Sequence, residues 1–304
     1  MIYPNNFQEK SYNQHNKHFE KYRHGGKKES DAKLWLKNDT VDAWRHLRMY
    51  QALNPILKLD KGAKWLTIGD GRFGKDAKYI LDNGSEALAT DISDHLLTEA
   101  FNKKFITKFQ KENAESLSFN DSEFDYVFCK ESYHHFPRPM IALYEMLRVA
   151  KKGIVLIEPN DKYVENTIMQ TFFSNLKKIY KKLTKKYNKH QYEESGNYIF
   201  STSRREIEKV SLGLNYKTVA FKGINDFYFK GVEHEKISNP GPLYKKINIL
   251  LTLSNTLCKV GFEDYKILIS IIFKKDISGP LADELSNHGY DVVKLPRNPY
   301  IDDL

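Results

Sequence analysis

The stretch from Lys64 to Asp91 limits most strongly what this chain can fold into. Trp65 to Ile68 is a short apolar run of the kind a buried parallel strand needs. It runs into glycines at 69, 71 and 74, the G-x-G-x-x-G spacing. A helical pattern follows, with Ala77, Ile80 and Leu81 on one face and a stop at Asn83-Gly84. Glu86 to Thr90 reads as the next strand, and Asp91 stands at its carboxyl end, twenty residues past Gly71. Glycines let the backbone turn tightly and let a ligand approach closer than any side chain would permit. An acid at the end of the neighbouring strand can hold both hydroxyls of a ribose. Together these features describe a pocket for an adenosine-containing ligand, although a glycine turn alone also serves plain packing.

A third strand near Phe105 to Phe109 precedes Glu112-Asn113-Ala114-Glu115-Ser116-Leu117-Ser118-Phe119. A fourth, Phe124 to Cys129, leads into Lys130-Glu131-Ser132-Tyr133-His134-His135-Phe136-Pro137. Here the chain resembles the class I S-adenosylmethionine (SAM) dependent methyltransferases, in their small-molecule, type 11-like branch. The matching stretches, in family order, are Asn113 to Phe119, Phe124 to Val127, Tyr133 to Phe136 and Glu145 to Val149. The resemblance covers residues 40 to 160 and resumes near Phe200.

The resemblance implies a doubly wound, Rossmann-like α/β fold with a seven-stranded, mostly parallel sheet, an antiparallel last strand and helical insertions. It implies SAM as cofactor. Gly69, Gly71 and Gly74 would wrap its methionine end. Asp91, with Ile92, would bind the ribose, Asn113 and Ala114 would meet the adenine, and the backbone around Lys130 would flank the sulfonium. Two departures stand out: Thr67 occupies a position where the family has an acid, and Phe73 one where it favours glycine. Asp70 is the carboxylate available to replace the missing acid at the cofactor's ammonium.

The 304 residues suffice for one enlarged α/β domain or two small ones. The expected organisation is a polar arm over 1–38, a methyltransferase domain over 39–276 and a C-terminal tail over 277–304. Within the domain lie a basic insertion at 162–195 and an excursion at 223–262. The arm reads as flexible or loosely packed. Asn38-Asp39-Thr40 can cap a helix ending near Leu53, with Val41, Trp44, Leu47 and Tyr50 inward. The helix before the first strand often covers the cofactor in the resembled fold, so Arg45, His46 and Arg48 either reach the site or form a solvated face, the reading preferred here. Pro139 opens a later helix and Gly153 closes it. Glu145 and Arg148 pair structurally along that helix. Ile154 to Ile157 is a fifth strand, ending in Glu158, Asn160 and Asp161 as candidate substrate contacts. Ser203 to Glu206 is a capping box. Tyr216 to Phe221 and Lys266 to Lys274 are strands expected to pair antiparallel, with a helix from Leu243 to Leu257 between them. The tail reads as a short helix to His288 and an extended Tyr290 to Tyr300.

Two cysteines, Cys129 and Cys258, fit a reducing compartment, and both read as packing residues. No apolar run approaches the ~20 residues of a membrane span, so a cytoplasmic enzyme is expected. Eight lysines against one acid, Glu165, fall between 162 and 190, and carry most of the formal charge of +9. With Leu176, Ile179, Tyr180, Leu183 and Tyr187 at helical spacing, they describe an amphipathic helix. It suits a solvated lid, a phosphate-bearing acceptor or peripheral contact with an anionic membrane.

Methyl transfer from a sulfonium is an in-line displacement, so much of the protein's task is alignment. A hydroxyl acceptor also needs its proton removed. His134 or His135 suits that role, with Glu131 the next candidate. The ten histidines are scattered without ligand spacing, so no metal is expected. The favoured activity is methylation of a small molecule, a sugar, nucleotide-sugar or phosphorylated metabolite, with polysaccharide biosynthesis as its setting. A nucleic-acid (RNA) methyltransferase is suggested by the pI near 9.1. Against it, Lys130-Glu131-Ser132-Tyr133 stands where base-modifying members carry N-P-P-Y or D-P-P-Y. A non-catalytic SAM-binding scaffold is the third reading.

Overall fold

The structure, a computed structural model, describes residues 7–161, 164, 175–176, 179–180, 183, 192 and 197–300. Two helices, α1 (Phe7–Glu20) and α2 (Glu29–Leu34), precede α3 (Val41–Tyr50) and α4 (Asn54–Leu59). Then come β1 (Lys64–Ile68), α5 (Lys75–Asp82), β2 (Glu86–Asp91), α6 (His95–Asn102), β3 (Phe109–Lys111) and β4 (Phe124–Lys130). They are followed by α7 (Pro139–Val149), β5 (Ala150–Pro159), α8 (Arg204–Gly213), β6 (Thr218–Ile224), α9 (Pro242–Lys259), β7 (Ile267–Phe273), α10 (Gly279–Asn287) and β8 (Asp291–Lys294).

The strands form one sheet in the order β3-β2-β1-β4-β5-β7-β6-β8. The first five are mutually parallel, while β7 runs antiparallel to both β5 and β6. Period-2 alternation divides every central strand between two cores. Trp65, Tyr126, Phe128 and Val155 face one, packed under α4, α5, α6 and α10. Leu66, Ile68, Val127 and Ile154 face the other, under α7 and α8. A third cluster joins Val41 of α3 to Ile247 and Leu251 of α9 and to Val232. The chain leaves β1 and β4 in opposite directions across the sheet, and the crevice at their carboxyl ends is where open parallel sheets receive ligands.

The predicted α/β class and the antiparallel end of the sheet are observed, with eight strands in place of seven. The extra strand comes from the tail, where β8 pairs with β6 from Thr218↔Lys294 to Phe221↔Asp291. The arm holds a helix from Phe7 to Glu20. Thr40 caps α3 as expected, its Oγ1 accepting from the Ala43 amide, but the helix turns differently. Leu47 is exposed, and Arg45 is 4 % exposed because Asp42 and Asp226 neutralise it inside. Gly153 closes no helix: α7 passes into β5 at Ala150, and a Cβ at 153 would lie 2.6 Å from the Ile272 carbonyl oxygen. The third strand sits at 109–111, later than the sequence suggests. Ser203 does cap α8, accepting from the Glu206 amide. The lysines of the basic insertion lie outside the described residues. Among the described residues no helix is long and apolar enough to cross a membrane.

Candidate active site

The glycine turn between β1 and α5 is built on backbone geometry that side chains resist. Gly69 and Gly74 have φ of 72° and 68°, in the left-handed region. A Cβ on Gly71 would lie 2.7 Å from Asp91 Oδ2, so the middle glycine lets the turn close on the strand-end acid. Phe73 also adopts φ 63°, yet it is 1 % exposed in the core with Ala77, Ile80 and Ile106. A left-handed bulky residue is strained, which explains a preference for glycine there. Burial of the ring outweighs the strain. Phe73→Gly is therefore expected to lower the unfolding free energy by roughly 2 kcal/mol, since about 3–5 is lost with the ring and about 1–2 is regained from the backbone. Urea denaturation checks this, and a more stable variant would contradict it.

At the far end of β2, Asp91 is buried and accepts the Ser93 amide at 2.7 Å. Burial pushes its carboxyl up to about 7, although backbone N–H groups of Ser93, Gly71 and Ile92 oppose the shift. Beyond β3, Asn113 Oδ1 accepts the Glu115 amide at 3.0 Å, holding Ala114 in a tight turn beside the acid. Helix α1 lies against both. Tyr12 donates to Glu115 Oε2 at 2.5 Å, and three residues on, His15 Nε2 stands 4.0 Å from Asp91 Oδ1. Glu115 also accepts the Arg138 amide and its Nε, each at 2.7 Å. Ser11 donates to Asn197, which in turn donates to the His135 carbonyl. The polar arm is thus fastened across the strand ends by hydrogen bonds from one helix face. Tyr12→Phe removes one bond to a carboxylate, worth roughly 1.5–3 kcal/mol. Stopped-flow release of S-adenosylhomocysteine is expected to quicken about tenfold; an unchanged rate would mean that the arm does not cover the ligand.

The other end of the turn is densely charged. Asp70 Oδ1 accepts the Asp76 amide at 3.1 Å, while Oδ2 accepts the Ala77 amide and Thr67 Oγ1, both at 2.9 Å. Its carboxyl therefore satisfies the first turn of α5 and bonds to the very threonine that replaces the family's acid. Burial and the neighbouring Asp76 push Asp70 well up from its ordinary range. Lys130 sends its side chain under α3, with Nζ 3.5 Å from Asp76 Oδ1, 3.4 Å from His46 Nδ1 and 5.0 Å from the Tyr50 ring centre. Tyr50 donates to the same Asp76 oxygen at 2.7 Å. Burial, then the cations Lys130, Arg72, Arg45 and Lys75, hold His46 well below its usual range, so it is neutral at physiological pH. The face of α3 read as solvated is turned into this network. Glu131, next along, has φ 51° and places Oε2 3.5 Å from His46 Nδ1. Strain of this kind at the end of a central strand accompanies functional sites.

Beyond Glu131, Ser132 Oγ donates to the Gly69 carbonyl and ties the loop to the glycine turn. Glu158, at the end of the adjoining β5, is 0 % exposed. Its Oε1 accepts the Ser132 and Tyr133 amides, each at 3.0 Å, and its Oε2 lies 2.5 Å from His134 Nδ1. The His135 ring lies against His134, 3.9 Å between centres and tilted by 44°. Glu158 was expected to meet substrate; it instead fixes the loop and the His134 ring. Its signal in the sequence was a strand-end acid next in register to Lys130↔Ile157. Asn160 donates to the Tyr265 carbonyl and the Asp161 amide to Thr202, so both are engaged with the antiparallel side. Among the described residues no group of three or more histidine, cysteine or acidic side chains is placed to hold a metal.

Residues 66–157 match the family model described as a methyltransferase domain. The chain contains a class I, SAM-dependent methyltransferase domain. The match spans the glycine turn, Asp91, the Asn113 stretch and the histidine pair, and ends at β5. No curated protein matches the chain. Among solved structures, 1,6-didemethyltoxoflavin-N1-methyltransferase from Burkholderia thailandensis is similar over 91 % of this chain and 94 % of its own, at 12 % identity and a TM-score of 0.51. The YcgJ protein of Bacillus subtilis is 19 % identical, with 74 % of this chain and 99 % of its own covered and a TM-score of 0.46. Magnesium protoporphyrin IX methyltransferase from Synechocystis is 16 % identical, with 76 % and 84 % covered and a TM-score of 0.46.

The methyltransferase domain's cofactor is SAM, and the residues around its turn suit that molecule. A buried strand-end carboxylate against a glycine turn matches a ribose diol. Beside the turn stand both signs of charge, Arg72, Lys75 and Lys130 with Asp76 and Glu131, as a zwitterionic amino-acid end requires.

Proposed function

We propose that this methyltransferase acts on a hydroxyl-bearing small molecule and that His134 is its general base. The observation that carries the reading is the buried Glu158–His134 pair, 2.5 Å apart, on the loop tied to the glycine turn. SAM, when bound, supplies an electrophilic methyl on a sulfonium, which needs no further activation. Asp91 would hold the ribose with Ile92 beside it, Asn113 and Ala114 would line the adenine, and the backbone at Lys130 would flank the sulfonium. Gly69, Gly71 and Gly74 give the methionine end its room. The chain's remaining task is to align a nucleophile and take its proton.

The nucleophile of such an acceptor is poor until its proton leaves, and the leaving proton needs a base already oriented. Glu158 engages Nδ1, which assigns proton transfer to Nε2 of His134. This is the base–orienter arrangement of acyl-transfer triads, here put to a displacement at carbon. Glu131 belongs to the His46–Lys130 network and is better suited to that electrostatic frame than to proton transfer. A sugar, nucleotide-sugar or phosphorylated metabolite fits an O–H acceptor, and the phosphate part rests on the lysines of 162–190.

The test is a panel of such acceptors, with RNA as a competing substrate, incubated with SAM and read by S-adenosylhomocysteine formation and product mass. Methylation of a hydroxyl on a small acceptor supports the proposal. Methylation of RNA alone overturns it. SAM binding without turnover on any acceptor favours the scaffold reading.

A further inference from the structure

Helix α9 is apolar on two sides, and only one of them is covered. Ile247 and Leu251 enter the cluster with Val41 and Val232. On the opposite side Ile249, Leu253 and Val260 are 61 %, 58 % and 60 % exposed, and Leu257 continues the stripe between them. The spacing i, i+4, i+8, i+11 sets these side chains in one row along the helix. The exposed threonines extend the row, because Thr252 and Thr256 donate their hydroxyls to the helix's own carbonyls at 248 and 252, each at 2.9 Å. Their methyl groups are left on the surface. Pro242 to Lys259 contains Lys245, Lys246 and Lys259 and no acid. Glu263 and Asp264 come after the helix has ended, and Glu235 accepts the Leu243 and Tyr244 amides at its start.

A second element repeats the pattern. Leu176, Ile179, Tyr180 and Leu183 are all exposed, at i, i+3, i+4, i+7 in helical residues. In the sequence they alternate with Lys177, Lys178, Lys181 and Lys182. Both elements spring from the same edge of the sheet. Pro159 and Ile224 each pair with Ile267, so the chain leaves β5 and β6 on the edge where β1, β4 and β5 end, beside the candidate site.

We infer that α9, together with the exposed side chains of Leu176, Ile179, Tyr180 and Leu183, seats the protein on an anionic lipid bilayer. An exposed apolar row on a helix whose own charged residues are all lysines suits the boundary between acyl chains and acidic headgroups, where a lysine stem can lie along apolar surface while its ammonium meets phosphate; Lys246 holds its ammonium 4.0 Å from the Phe229 ring centre at the same end of the helix. A second copy of the chain is a poorer occupant, since α9 carries three lysines and no acid of its own to meet the lysines of a symmetric partner. The inference goes beyond the transfer reaction and does not depend on it. It places the edge of the sheet that carries the candidate site toward the membrane, where an amphiphilic acceptor would be presented.

The full chain is tested by co-sedimentation with phosphatidylglycerol–phosphatidylcholine vesicles and with pure phosphatidylcholine vesicles. Binding to the anionic vesicles alone, weakening as salt is raised, is expected. Ile249→Asp with Leu253→Asp is expected to lower that binding at least about tenfold while leaving melting temperature and SAM affinity unchanged. Lys245→Glu with Lys246→Glu should lower it without touching the apolar row. Failure of the wild-type chain to sediment with anionic vesicles overturns the inference, as does equal binding to neutral ones. So does a dimer in analytical ultracentrifugation that the Ile249→Asp, Leu253→Asp variant converts to monomer, which would make this face a contact between copies. Vesicle binding is read without an acceptor, so failure here leaves the proposed chemistry standing.

Discussion

His134→Ala is expected to lower turnover on a hydroxyl acceptor by roughly 10²–10⁴ while SAM affinity stays near its wild-type value. The more discriminating substitution is Glu158→Gln. Its amide oxygen keeps accepting the Ser132 and Tyr133 amides, so the loop remains in place. Its NH₂ group, however, would face His134 Nδ1 and donate to it. That forces the ring's proton onto Nε2, the nitrogen that must be bare to act as base. Glu158→Gln should therefore lose about as much turnover as His134→Ala, with the pH at which activity sets in displaced and the melting temperature little changed. His135→Ala, which leaves the Glu158–His134 pair in place, should cost far less. Full activity in His134→Ala, with S-adenosylhomocysteine formation measured at saturating acceptor, would show that the base lies elsewhere. A loss in Glu158→Gln confined to stability would reduce that residue to a loop anchor.

What the chain reveals in its sequence is what local periodicity and turn chemistry encode. The run Trp65 to Ile68, the glycines and Asp91 read directly, because period 2, left-handed φ and a strand-end acid each leave a residue-level mark. Four motifs in order then identify the fold. The arm did not read, because its helix is held by polar bonds to distant residues: Tyr12 to Glu115 spans 103 positions, and no apolar stripe announces it. The burial of Arg45 is hidden for the same reason, its partner Asp226 lying 181 positions away. Gly153 imitates a cap because a glycine after a helix normally is one, and nothing local says that α7 passes straight into β5. Glu158 read as a substrate contact because its position at the sheet edge was legible, whereas its direction, into the loop behind His134, depends on how β4 ends. The site is thus legible where the backbone makes it and obscure where side chains from remote elements complete it.

Asp91→Ala is expected to raise the dissociation constant for SAM by at least roughly a hundredfold, since two charge-assisted hydrogen bonds of about 1.5–3 kcal/mol each are removed. The wild-type chain makes a sharper forecast through pH. Burial raises the Asp91 carboxyl from its ordinary 3.8 to about 7, with Asp94 adding repulsion. His15, 4.0 Å away, attracts the carboxylate whenever it is protonated. A ribose diol donates to the ionised form, so below about pH 7 binding must first release the proton. Affinity should then fall about tenfold per pH unit between 7 and 5. Calorimetry near pH 6 in buffers of different ionisation enthalpy should register about one proton released. The sign for the empty protein is opposite. Between roughly pH 4 and 7 the folded chain holds a proton that the unfolded chain has lost, so this group's contribution to stability falls as pH rises through that window. Asp91→Asn, neutral throughout, should flatten both slopes together, weakening SAM binding at pH 8 while removing the gain in melting temperature on acidification. If it binds SAM with wild-type affinity and pH dependence, the ribose is held by another group and the strand-end acid serves only to close the glycine turn.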